Sequence, residues 1–110
     1  MAVTTTLRAE VSMVNGGINV SGVLDFETVP VLMQQVEPLF NKLDKVSVNL
    51  AEVTDSNSAG LGFLLEMARA MKLKNKPINF ENLPEQIRIV AAAYGIDDEL
   101  GTFLSPQSNS

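Results

Sequence analysis

The chain has 110 residues, 45% of them hydrophobic and 19% charged, with 13 Asp and Glu against 8 Lys and Arg for a net charge of −5. It contains neither cysteine nor histidine, which removes disulfides, Cys/His zinc sites, thiol nucleophiles and every mechanism with imidazole as the base. An acidic chain also lacks the many Lys and Arg contacts on which affinity for a nucleic-acid backbone rests, and no apolar stretch approaches the ~20 residues that span a bilayer.

Residues 1–104 are expected to form a single domain, and 105–110, which carry nothing apolar, a disordered tail. Met1 to Thr6 has no basic region followed by an apolar core, so a cytoplasmic location is expected. Leu7, Ala9, Val11 and Met13 alternate with Arg8, Glu10 and Ser12, the period of a half-buried strand. Asn15-Gly16 predicts a tight hairpin, with Ile18 to Ser21 returning antiparallel and Gly17 as a site for a bulge. Val23-Leu24-Asp25 leads to a helix from about Thr28, with Pro30 in its first turn and an apolar stripe of Leu32, Val36, Leu39, Phe40 and Leu43. Pro38 lies inside that stripe and is expected to kink or restart the helix.

A third strand is predicted where Val46, Val48 and Leu50 alternate with Ser47 and Asn49, stopping at Ala51-Glu52. Asp55, Ser56, Asn57 and Ser58 then offer side chains to the free N–H groups of a helix running to about Lys74, whose core arc is Leu61, Leu64, Leu65, Ala68 and Met71. Ile78 to Glu81 gives a fourth strand. Pro84 opens a last helix with Ile87, Val90, Ala91 and Tyr94 toward the core, Gly95 at its end and Ile96 as the contact beyond; Leu100, Phe103 and Leu104 fold back onto the domain. The strands alternate rather than run continuously apolar, so one face of the sheet is covered. With right-handed crossovers, the fold expected is a two-layer α/β domain, a mixed four-stranded sheet with helices mainly on one face.

Ser58 draws attention as a hydroxyl at a helix N-terminus, where it can cap, accept phosphate or meet a partner, although a capping role alone accounts for it. As a catalytic nucleophile it fails, because no base is placed beside it by the sequence. Gly60 and Gly62 are not a Walker loop, since no lysine lies between Lys45 and Lys72; they suit close packing of the helix start or approach of a partner backbone. Asp25 is expected beside the Ser58 loop, with capping of the first helix as its plain role. Asp97-Asp98-Glu99 is read as solvated surface. Lys72, Lys74 and Lys76 suit a helix C-terminus and fall short of the roughly four to eight basic residues of a membrane patch. At 100° per residue Phe63, Met67 and Ala70 fall opposite or beside the core arc; scattered exposed apolars are ordinary, but Phe63, Met67 and Met33 with Ser58 would form one patch that marks a protein interface.

Several of these stretches resemble one family. Asn57-Ser58-Ala59-Gly60-Leu61-Gly62 is similar to the D-S-S-G-L-G signature of STAS domains, the fold of anti-sigma-factor antagonists. Ser21 to Thr28 resembles that family's G-x-L-D-x-x-T entry to its first helix, and Val90 to Ile96 with Leu100 its last helix. The run Val53 to Leu65 and the compact size are most like the cytoplasmic STAS subunit (MlaB-like) of Mla phospholipid ABC transporters. There are departures: Ala59 stands where sporulation-type antagonists carry a phosphorylated serine, and Asn57 replaces an aspartate.

The resemblance implies a non-enzymatic accessory subunit. It would bind the cytoplasmic ATPase of a phospholipid-transporting ABC complex that maintains outer-membrane lipid asymmetry, and would be peripheral to the inner membrane through that partner. The candidate contact residues are Ser58, Asn57, Ala59, Phe63, Met67, Met33 and Asp25. The alternative it implies is a phosphorylation-switched anti-sigma-factor antagonist, partnered by an anti-sigma factor or kinase, with Ser58 or Ser56 as acceptor. No cofactor, metal or nucleic acid is expected in either case.

Overall fold

The computed structural model describes residues 8–14, 16–96, 98 and 101. Strand β1 (Ala9–Val14) turns into β2 (Gly17–Leu24), where Gly16 adopts φ +81°. Helix α1 (Thr28–Lys42) crosses to β3 (Val46–Ser56), α2 (Ser58–Leu73) to β4 (Ile78–Glu81), and α3 (Glu85–Ala93) follows. The sheet order is β1-β2-β3-β4, antiparallel between β1 and β2 and parallel thereafter. The helices lie largely on one face. Asn15, Leu100, Phe103, Leu104, the acids Asp97 and Glu99 and the tail 105–110 lie outside the described residues.

The apolar alternation of the strands supplies one side of the core. Ile18, Val20 and Leu24 of β2, Val46, Val48 and Leu50 of β3 and Ile78 and Phe80 of β4 are buried against Leu32, Val36 and Phe40 of α1, several residues of α2 and Ile87 and Ala91 of α3. The alternate positions are polar: Asn79 donates to Ser47 at 3.3 Å, and Asn19 donates to Glu52 at 3.2 Å. Gly22 pairs with Ala9 at the open end of the hairpin. Its φ of +95° and the closeness of the Arg8 carbonyl leave no room for a Cβ, and the chain reverses its demands there so that Val23 N–H can donate to Arg8 O at 2.9 Å.

Several expectations need correction. The first hairpin runs in unbroken register from Ala9↔Gly22 to Val14↔Gly17, so Gly17 carries no bulge. The irregularities lie in β3 instead: Asn19 pairs with Asn49 but Ser21 with Glu52, and Gly22 with Val53 but Val23 with Asp55. Each step places one extra residue on β3. These breaks destroy the period-2 pattern after Leu50, which is why the strand looked finished at Ala51-Glu52 although pairing continues to Ser56. Helix α1 is not restarted at Pro38, which is exposed on the solvent side; there the Gln34 carbonyl, left without its helical donor, is open to water. Tyr94 is not a core residue but 66% exposed. It is the C-cap of α3, and the packing passes to Ile96, whose N–H donates to Ala91 O at 3.0 Å beyond the left-handed Gly95.

The largest correction concerns α2. Phe63 and Met67 are fully buried, and Met33 and Ala70 are half-buried and packed on the core, while Leu65 is only half-buried. The expected apolar surface patch of Phe63, Met67 and Met33 does not exist. Helix α2 is the middle one, packed by α1 on one flank and α3 on the other, so its buried arc is wider than the single stripe a lone helix on a sheet would need. Phe63→Ala is therefore expected to lower unfolding stability by about 3–5 kcal/mol, as removal of a core phenylalanine does; a urea midpoint close to wild type would instead place Phe63 at the surface.

Candidate functional site

Parallel pairing of β2 with β3 ends at Leu24↔Ser56, and the two following turns consequently sit side by side. Asn57 N–H donates to Leu24 O at 3.1 Å across this junction. The sheet edge thus presents the start of α1, with Asp25, beside the start of α2, with Asn57, Ser58 and Ala59. That juxtaposition was expected, and the structure brings those residues together.

Capping of α2 belongs to Asn57, whose Oδ1 accepts from Ala59 N–H at 2.8 Å. Ser56 is also committed: its hydroxyl donates to Asn57 O at 2.9 Å. Asp55 accepts from Ser56 N–H at 3.0 Å and from the Gln86 side chain at 3.1 Å, tying the turn to α3. Among the described residues the Ser58 hydroxyl makes no hydrogen bond, and Ser58 is half-buried as the first residue of α2. The capping role that a serine there can fill is thus already taken, and a hydroxyl is left over. Ala59 is buried.

Gly60 explains the glycine in this turn. A Cβ there would run into the Ser56 hydroxyl and lie 3.2 Å from Ile87 Cδ1 and 3.3 Å from Leu24 Cβ, so the helix start is pressed onto β2, α3 and its own turn. Gly62 faces open space with nothing within 4 Å.

The neighbouring turn is held by charge. The Asp25 carboxylate accepts from Glu27 and Thr28 N–H, each at 2.9 Å, and pairs with Arg8 at 2.8 Å. Thr28 answers by accepting from Asp25 N–H at 2.9 Å and donating to Val23 O at 2.8 Å. The Thr28 N–H, followed by Arg8 and the Glu27 N–H, stabilises the anion against partial desolvation and lowers its pKa from 3.8 to about 2. The capping role expected of Asp25 is real, and Arg8, Thr28 and Gln86 are supports that local spacing did not reveal. Only the G-x-L-D-x-x-T pattern hinted at Thr28.

Lys76 has a specific task, donating to Phe40 O at 2.9 Å near the end of α1, so it serves a neighbouring helix rather than the one it follows. An open depression of about 610 Å³ over the sheet is lined by Gly17, Asn19, Ser47, Asn79 and others at the starts of the strands, the end opposite Ser58. Among the described residues no group of three or more acidic side chains is gathered for a metal, and no helix is long and apolar enough to cross a membrane.

A helix start locked in place thus carries a spare hydroxyl at the end of a two-layer α/β sheet. Residues 8–105 match the family model described as "Mlab, STAS domain", and the chain belongs to the STAS domain family. It is 26% identical over 81 residues, 74% of each chain, to the anti-sigma-B factor antagonist of Bacillus subtilis (strain 168). In fold it is similar to the phosphorylated Bacillus cell fate determinant SpoIIAA, with TM-score 0.65 and 17% identity over 92% of this chain and 94% of that one. It is likewise similar to an anti-sigma factor antagonist from Mycobacterium paratuberculosis, with TM-score 0.65 and 21% identity over 92% and 86%.

Two measurements check this site. Asn57→Ala is expected to cost about 0.5–2 kcal/mol as loss of a cap, whereas Ser58→Ala should stay within about 0.5 kcal/mol; the reverse ranking in chemical denaturation would return the cap to Ser58. Because the folded pKa of Asp25 lies below its ordinary value, its contribution is complete above pH 3.8 and disappears as pH falls through about 2. The stability gap between wild type and Asp25→Asn should therefore be level from neutral pH down to about 3.8 and close as pH falls from there through about 2; a gap unchanged in strong acid would contradict the assignment.

Proposed function

We propose that the chain is a partner-switching antagonist, a domain that binds an anti-sigma factor through the α2 start and is released when that surface is phosphorylated. The observation that carries this reading is the unengaged Ser58 hydroxyl on a capped, rigid helix start, supported by the likeness to an anti-sigma-B factor antagonist. Asn57, Ala59 and Asp25 shape the same surface. Phe63 and Met67 act from the core by fixing α2, and Met33 by packing beside it.

Ser58, not Ser56, is the acceptor in this proposal, because Ser56 Oγ is hydrogen-bonded and wedged against Gly60. A phosphate on Ser58 is a dianion well placed for the helix N-terminus and unwelcome in a closely packed interface. By the signature this stretch resembles, the phosphorylated serine of sporulation-type antagonists falls at Ala59 here, so in this proposal the switch rests on the adjoining residue. A second reading, a subunit docked on the ATPase of a phospholipid ABC transporter at the cytoplasmic face of the inner membrane, is favoured by the "Mlab" description of the matching family and by Ala59.

Ser58→Asp tests both the surface and its use. Helix α2 has no acidic residue in its first turn, so the new carboxylate should hold or raise stability by about 0.3–1 kcal/mol. Association should nevertheless weaken, because an unpaired carboxylate is buried against the partner. The binding assay uses purified anti-sigma factors and Mla-type ATPases of the same genome, each titrated against wild type and variant. Binding to an anti-sigma factor that the Asp variant loses at unchanged melting temperature is the expected result. Equal binding by the variant would remove Ser58 from the interface, and binding only to an ATPase would select the second reading. Incubation with the bound partner and ATP should add one phosphate by intact mass, and none in Ser58→Ala.

A further inference from the structure

Phe26 is an exposed aromatic side chain on a turn that does not move freely. It is 70% exposed, yet the carboxylate of Asp25 bridges over it to the N–H groups of Glu27 and Thr28, and Arg8 clamps both Asp25 and Glu27, at 2.8 and 2.7 Å. A single exposed apolar residue is ordinary on a protein surface. A phenylalanine held out by a hydrogen-bonded turn differs, because little further ordering is required when it enters a pocket.

Charge is sorted along the domain in a way that bears on what meets it. Every lysine of the chain, Lys42, Lys45, Lys72, Lys74 and Lys76, lies at the ends of α1 and α2 or just beyond them, the side where the parallel strands begin. Asp25, Glu27, Asp55 and Glu85 lie where β2, β3 and β4 have ended, around the starts of the three helices. Arg8, and Arg88 in the first turn of α3, balance part of that charge, and Asp44 stands among the lysines at the other end. The Phe26 end is therefore the acidic end, continuous through the Leu24–Asn57 contact with the Ser58 surface.

We propose that Phe26 is an aromatic anchor which, on the sheet end that also carries Asp25, Glu27, Asp55 and Glu85, docks into an apolar socket edged with arginine and lysine on a partner protein. This rests on the partner-binding reading of the Ser58 surface and specifies the chemistry of what it meets. Complementary charge steers the encounter and excludes acidic surfaces, while the buried aromatic slows release.

The test places a photo-reactive benzoyl-phenylalanine at position 26 of the full chain in cells of the source organism, with the same residue at position 73 as control. Leu73 is 80% exposed and sits at the lysine end. The expected result is an adduct from position 26 alone, on a protein segment flanked by lysine or arginine, and lost in Glu27→Lys/Asp55→Lys. With the captured protein purified, Phe26→Ala should weaken binding at least tenfold at unchanged melting temperature, and Phe26→Leu should recover part of it. The association rate should fall as salt is raised.

No adduct above the position-73 level overturns the anchor, as does a lipid or nucleic-acid adduct, an acidic target segment, or binding within twofold for Phe26→Ala. The two proposals separate cleanly. A basic partner that is not an anti-sigma factor keeps the anchor and removes the partner-switching reading, whereas an anti-sigma factor that binds Phe26→Ala normally but not Ser58→Asp does the reverse.

Discussion

The parallel pairing of β2 with β3 is the constraint on which the rest of this domain depends. It forces α1 to cross over the sheet, brings the end of β2 to the end of β3, and so sets two helix starts side by side. With the extra residues carried by β3 its pairing continues to Ser56, delivering Asn57 to Leu24 with one hydrogen bond closing the join. Gly60 then presses α2 onto that join, where any side chain would push the helix away.

Rigidity at this edge is built from small polar pieces rather than from bulk. Asn57 caps α2, Ser56 and Asp55 tie the turn to itself and to α3, and the Asp25–Thr28 exchange with Arg8 does the same for α1. Each satisfies backbone groups that helix ends leave without partners. A surface made this way loses little freedom when a partner arrives. The apolar mass lies one layer beneath, with Phe63 and Met67 filling the space among the three helices and the sheet.

Much of this was legible in the chain. Alternation in Ile18–Val20 and Val46–Leu50, the Gly16 turn, the helix end at Gly95 and the covered single face all follow from local periodicity and turn chemistry. The join of Asp25 to the Ser58 turn was readable as well, since both follow strands of one parallel sheet. The helix cap was narrowed to four adjacent residues, but spacing could not choose among them; the backbone at Asn57, extended at φ −109° and ψ −163°, did.

What only the tertiary structure decided concerns neighbours. Phe63 and Met67 look exposed on a helical wheel because a wheel knows the sheet and not the flanking helices, and the flanks of α2 are where α1 and α3 sit. The end of β3 was hidden because an inserted residue shifts the side-chain period while leaving the backbone paired. Arg8 and Asp25 are distant in sequence and Gln86 and Asp55 more so, and no periodicity encodes such pairs. Sequence by itself determined which segments are strands and helices, because that depends on the spacing of a residue's own neighbours; exposure, pairing partners and the shape of the sheet edge at the helix starts depend on chain brought from elsewhere.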